Sequence, residues 1–104
     1  MNDKLENMSA FKNSFVYRVE KGDDLGGIVS KFSTTKQIVI SCNGLSRAPQ
    51  EGELLVIEIP GGEEYIVKPH DTIESLSGGN KRRELEISVK NRTDFLYVGQ
   101  KIYL

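Results

Sequence analysis

Apolar residues in this chain come in short clusters separated by polar turns. Phe15-Val16-Tyr17-Arg18-Val19 is rich in β-branched and aromatic side chains and stops at Lys21-Gly22-Asp23, which predicts a short strand. Leu25, Ile28, Val29 and Phe32 then recur at helical spacing, with Asp23 expected to cap the helix they define. Gly26 and Gly27 inside that helix cost about 1 kcal/mol each relative to alanine. Thr34, with Gln37 three residues on in capping-box register, predicts a second helix. Ile38 through Cys42 supply its buried side, and Asn43-Gly44 ends it, because both tolerate positive φ. A polar loop leads to Leu54-Leu55-Val56-Ile57-Glu58-Ile59, a second strand, and Pro60-Gly61-Gly62 breaks the chain.

The same order of positions then returns. A shift of 48 residues lays Tyr17-Arg18-Val19 on Tyr65-Ile66-Val67, Asp23 on Asp71, Leu25 on Ile73, Ile28 on Leu76 and Asn43 on Asn91. One residue less aligns Gly52 with Gly99 and Leu55 with Ile102. Asp71-Thr72-Ile73-Glu74 reads as a helix start, and Ser77-Gly78-Gly79-Asn80 keeps that helix short. Leu85, Ile87 and Val89 alternate with polar residues, a pattern that suits a strand; the corresponding stretch of the first half predicts a helix instead. The expected fold is α+β, two tandem βααβ units, each a two-stranded antiparallel sheet packed on two helices. Residues 15–60 form the first unit, residues 61–104 a more divergent second one, and residues 1–14 a flexible N-terminal segment.

Composition narrows the possible functions. With 28% charged and 38% hydrophobic residues, the 104-residue chain has the make-up of a soluble globular protein. Its formal net charge of −1 offers no electrostatic footprint for nucleic acid or an anionic membrane. Lys81-Arg82-Arg83 is followed at once by Glu84 and Glu86 and reads as a solvated face. The single cysteine, Cys42, excludes an intrachain disulfide and a multi-cysteine metal site, and is expected in the core. The start lacks the apolar stretch of a secretory signal, and no run of eighteen apolar residues exists. Synthesis in the cytoplasm without a signal peptide is expected, with the alternative that the chain is part of something longer.

No constellation for catalysis stands out. His70, the only histidine, has no ligand cluster at metal spacing and reads as a turn residue. Gly22 through Gly27 lacks phosphate-loop spacing. Asp23-Asp24 and Glu63-Glu64 are adjacent pairs, whereas glycoside hydrolysis needs carboxylates across a cleft. A binding protein without cofactor or metal is expected.

Both halves resemble the LysM family of glycan-binding modules. The likeness rests on Tyr17-Arg18-Val19-Glu20-Lys21-Gly22-Asp23-Asp24-Leu25, Ile28, Phe32, Thr34-Thr35 and Asn43-Gly44-Leu45 in the first half. In the second it rests on Tyr65-Ile66-Val67, Asp71-Thr72-Ile73, Asn91 and Tyr97-Val98-Gly99-Gln100-Lys101-Ile102. The sequence departs from the family pattern at Pro69-His70, where a small turn residue is usual, and at Gly52-Glu53 in place of Gly-Gln.

The resemblance implies binding of N-acetylglucosamine-containing glycans, of the peptidoglycan or chitin type. It implies a shallow groove between the loop leading into the first helix and the loop leaving the second. In the first unit Gly22, Asp23, Asp24 and Leu25 would face Asn43, Gly44, Leu45 and Ser46. In the second, Asp71, Thr72 and Ile73 would face Asn91, Arg92 and Thr93. The residues taken alone also permit a purely structural part, with Asp23 and Asp71 as helix caps and Asn43 and Asn91 as helix stops. A second possibility is a LysM-fold module for protein assembly, of the kind found in spore coats and in phage-tail or injection-system components, with little glycan binding. Either would be spore- or cell-wall-associated.

Overall fold

A computed structural model describes residues 13–104 of the chain. The segment expected to be flexible, residues 1–14, lies outside the described residues as far as position 12. Asn13 and Ser14 belong to the first strand. The described chain forms two compact units, the first Asn13–Ile59 and the second beginning at Pro60.

The first unit has the order β1 (Asn13–Arg18), α1 (Leu25–Phe32), α2 (Lys36–Asn43) and β2 (Leu54–Ile59). β1 and β2 pair antiparallel, with Phe15 opposite Ile57, Val16 opposite Val56 and Tyr17 opposite Leu55. Alternation along the strands sends Leu55 and Ile57 inward, where they join Val19, Ile28, Val29 and Val39 in one buried cluster. Leu25, Phe32, Leu45 and the rings of Phe15 and Tyr17 close over it. Phe32 meets Phe15 and Tyr17 edge-on, at centroid distances of 4.9 and 5.1 Å.

Three local features differ from the sequence-based expectation. Asp24, not Asp23, caps α1, its side chain accepting from Gly27 N at 2.7 Å. Thr35, not Thr34, caps α2 by accepting from Ile38 N at 3.2 Å. Thr34 is buried and donates its hydroxyl to the Glu58 carbonyl of β2 at 2.7 Å. Cys42, expected in the core, is half-buried, its thiol against the Glu58 carboxylate.

The second unit repeats the order on a smaller scale: β3 (Glu64–Ile66), α3 (Ile73–Leu76), α4 (Lys81–Asn91) and β4 (Lys101–Tyr103). β3 and β4 pair antiparallel, with Tyr65 opposite Ile102. Val67, Ile87, Ile102 and Tyr103 are its buried hydrophobic residues. Thr72, not Asp71, caps α3, and it shares a reciprocal capping box with Ser75. The alternating stretch around Leu85 is helical and lies within α4. The described residues form a mixed α+β structure with two small antiparallel sheets.

Candidate functional site

The two loops singled out in the first unit lie at the same end of its sheet. β1 runs into the lead-in loop at Val19, and the exit loop returns to β2 through Gly52 and Glu53. Val19 N donates to the Glu53 carbonyl at 2.8 Å, and Gly52 N donates to the Val19 carbonyl at 2.8 Å. The loop leading to α1 and the loop leaving α2 are therefore joined at their roots by backbone hydrogen bonds. Leu25 from one and Leu45 from the other pack on the same buried cluster.

The lead-in loop is held by Asp23. Its Oδ2 accepts from the Tyr17 hydroxyl at 2.5 Å and from Glu20 N at 2.8 Å, while its own amide donates to the Glu20 carbonyl at 3.0 Å. The Tyr17 hydroxyl, and after it the Glu20 amide, hold the Asp23 carboxyl below its ordinary value. The same bond raises Tyr17, because it stabilises the protonated phenol. Lys31 donates to the Tyr17 oxygen at 3.3 Å and lies 5.1 Å from the ring centroid, so the phenol is gripped at both edge and face. With Asp23 occupied in this way, Asp24 is left to cap the helix. Asp24 takes the Gly27 amide on its side chain and the Ile28 amide on its carbonyl. The amides of Leu25 and Gly26 are then the first-turn donors that neither oxygen of Asp24 accepts. Gly22, exposed and at φ 89, leaves the face of this loop open.

The exit loop is held by Asn43. Its Nδ2 donates to the Val39 carbonyl at 2.8 Å and to the Val56 carbonyl at 2.9 Å, and its Oδ1 accepts from Val56 N at 2.8 Å. The side chain thus stitches the last turn of α2 to β2. Gly44 takes the left-handed conformation at φ 59, Leu45 turns inward, and Ser46 is exposed. Further on, Arg47 forks onto both carboxylate oxygens of Glu53, which also receives the Gln50 amide at 2.5 Å. Both bonds lower the Glu53 carboxyl, the one from Arg47 most.

The second unit reproduces this bonding scheme. Tyr65 donates to Asp71 Oδ2 at 2.5 Å, and Lys68 N donates to the same oxygen at 2.8 Å. Asp71 is lowered for the same reasons as Asp23, the tyrosine hydroxyl first. Val67 N donates to the Gln100 carbonyl at 2.9 Å, and Gly99 N to the Val67 carbonyl at 2.8 Å. Asn91 donates to Ile87 and Tyr103 carbonyls, both at 2.9 Å, and accepts from Tyr103 N at 2.8 Å.

The surroundings of the loops differ between units. Asn91 is 2% exposed, so it braces the loop from below and does not line a groove. His70 occupies the place of Gly22 and takes φ 73 there, so an exposed imidazole-bearing residue stands where the first unit has glycine. Arg92 is left-handed and exposed, Ile73 and Thr93 are half-buried, and Thr72 is exposed but committed to its capping box.

The spacing that reveals the lock is Tyr-x5-Asp, present as Tyr17–Asp23 and Tyr65–Asp71. It is visible in the sequence, but an aspartate before a helix reads first as a cap.

A family model described as the LysM domain matches residues 17–57, so the first unit carries a LysM domain. The matched stretch takes in both loops and all eight residues proposed for the first groove. No curated protein matches the chain. Among solved structures the chain is similar to the spore cortex-lytic enzyme SleL of Bacillus cereus, at 24% identity and a TM-score of 0.42. It is also similar to SleL of Bacillus megaterium QM B1551, at 27% identity and a TM-score of 0.43. Each alignment covers 88% of this chain but only 22% of SleL, so the chain spans about a fifth of the length of these enzymes. No described helix is long and apolar enough to cross a membrane.

Proposed function

We propose that this protein is a non-catalytic binding module for N-acetylglucosamine-containing glycans of the peptidoglycan or chitin type, acting at a spore or cell wall. One observation carries the reading. The LysM match over residues 17–57 coincides with two loops bonded root to root at one end of a sheet. In the first unit the amides of Leu25 and Gly26 can donate to an acetamido carbonyl, while Leu25 and Leu45 offer an apolar floor for its methyl group. Gly22, Asp24, Gly44 and Ser46 form the exposed rims, and Asp23 and Asn43 hold the loops in shape. The second unit is read as a divergent second copy, supported by the recurrence of the tyrosine–aspartate and asparagine–strand bonds. Two weak sites on one chain would raise the hold on a polymer.

Retention on insoluble peptidoglycan and chitin, with chitohexaose titrated by NMR, tests this. Amide shifts concentrated at Gly22–Gly26 and Gly44–Ser46 are expected. Absence of both retention and shifts overturns the reading. A second reading, a protein-assembly module, is favoured by the outer face of the first sheet, where Val16, Leu54 and Val56 are exposed side by side. Light scattering and co-purification test it, and a strict monomer that retains glycan counts against it.

A further inference from the structure

Asn43-Gly44 is the one Asn-Gly pair in the sequence, and the fold calls for both residues. Asn43 is needed because its carboxamide donates to the Val39 and Val56 carbonyls and also accepts from Val56 N. Gly44 is needed because the chain leaves α2 in the left-handed region, at φ 59, with the Gly44 amide donating to the Ile40 carbonyl. Side by side, the two residues are chemically labile. Glycine has no Cβ to hinder its nitrogen from approaching the carboxamide carbon one residue back.

In the folded unit each reacting group is engaged. Succinimide formation needs Gly44 N, stripped of its proton, to bond to Cγ of Asn43. That proton is committed to the Ile40 carbonyl. The carboxamide is fixed by three hydrogen bonds, two of them through the nitrogen that would leave, and Asn43 is itself the last residue of α2. Reaction therefore requires the side chain to leave β2 and the last turn of α2 to open. The second unit has the same stitch through Asn91, but there Arg92 takes the left-handed position, at φ 57. A side chain at that position crowds the nitrogen. The first unit alone combines the stitch with a reactive neighbour.

We propose that Asn43 is a deamidation site gated by opening of the exit loop, and that its reaction makes such an opening permanent. Gly44 N gives its proton to hydroxide and bonds to Asn43 Cγ. The Cγ–Nδ2 bond breaks, and Nδ2 takes a proton from water and leaves as ammonia. Water then opens the cyclic imide, at one carbonyl giving aspartate and at the other isoaspartate. Water and hydroxide are the only co-reactants, and nothing is oxidised or reduced. Neither product remakes the stitch. Aspartate still accepts from Val56 N, but it sets carboxylate oxygen against the Val39 and Val56 carbonyls, where a donor had been. Isoaspartate carries the backbone through the former side chain and adds a carbon to the end of α2. The lifetime of the first unit is thereby tied to the fraction of time its exit loop is open, whatever the groove holds.

The test uses the full chain, aged in mildly alkaline buffer with and without guanidinium chloride. Conversion is read as a gain of about 1 Da in the tryptic peptide 37–47, with isoaspartate identified by enzymatic methylation. Above the unfolding transition the peptide should convert at least roughly tenfold faster than in the native protein. Equal rates in the native and unfolded chains overturn the gating. After removal of denaturant, the converted chain should melt at a lower temperature than unconverted chain treated alongside it, and the Val56 amide should lose protection from hydrogen exchange. A converted chain that regains the wild-type transition and Val56 protection overturns the permanent opening. Arg92→Gly puts glycine at a left-handed position and should fold. In denaturant it should gain a second conversion, at Asn91, and failure to do so overturns the part given to the following residue.

Discussion

Tyr17 donates its hydroxyl hydrogen to Oδ2 of Asp23 at 2.5 Å, and that oxygen also accepts the Glu20 amide at 2.8 Å. One carboxylate oxygen thereby ties the side chain of β1 to the loop after it. Tyr65 and Asp71 form the same lock in the second unit.

These locks set a pH dependence. Asp23 and Asp71 are both held below the ordinary carboxylate value, by the tyrosine hydroxyl first and the backbone amide second. A carboxyl lowered in the folded state stabilises the fold fully above its unfolded pKa, and that contribution is lost as pH falls through the folded one. Urea midpoints should hold from neutral pH down to the ordinary carboxylate range and then decline. In Tyr17→Phe the Asp23 carboxyl should titrate higher, closer to its ordinary value, by carbon-detected NMR. An Asp23 titration identical to the wild type would contradict the lock.

Asn91 should be among the most sensitive polar positions. Asn91→Ala leaves the amide and carbonyl of Tyr103 without their side-chain partner in a buried setting. The expected cost is about 1–3 kcal/mol. Hydrogen exchange should show the Tyr103 amide losing protection ahead of the rest of the second sheet.

His70 carries backbone strain that Gly22 does not. A non-glycine residue at φ 73 costs on the order of 1–2 kcal/mol, part of which glycine returns through its freedom in the unfolded chain. His70→Gly should therefore raise stability modestly, by about 1 kcal/mol or less. Gly22→Ala, its mirror experiment at φ 89, should lower stability. Paired thermal melts of the two variants would show shifts of opposite sign.

Gly62 is a steric requirement. At φ 83, a Cβ there would overlap the carbonyl of Leu104, which pairs with the strand edge through Glu63. Gly62→Ala should loosen the β3–β4 pairing. Weaker protection of the Leu104 amide, with the first sheet unaffected, is the expected signature.

Much of this architecture is legible in residue order, and the failures have physical causes. The strands are evident because Tyr17-Arg18-Val19 and Leu54–Ile59 combine β-branched or aromatic residues with clear stops. α4 is obscure because its buried face consists of Ile87 and Asn91, one apolar and one polar residue at i and i+4. Leu85 and Val89, which suggest a strand, are 64% and 49% exposed. Asp23 and Asp24 are equally suited to cap a helix, and the choice between them is made by the Tyr17 hydroxyl, a contact outside the local sequence. Asn43 and Asn91 look like helix stops because their bonds reach strands 12 or 13 residues further on. The candidate loops of the first unit are identified by resemblance, and their joining at the sheet end comes from pairing β1 with β2.

The Asn43 side chain also determines where a mechanical load on the exit loop would go. A polymer held at Gly44 to Ser46 pulls on the end of α2, and Asn43 passes that pull sideways into Val56 through two hydrogen bonds. Val56 lies mid-strand in β2, opposite Val16 of β1. Tension is thus delivered to the centre of the sheet, where neighbouring strand bonds share it, and not to a fraying end.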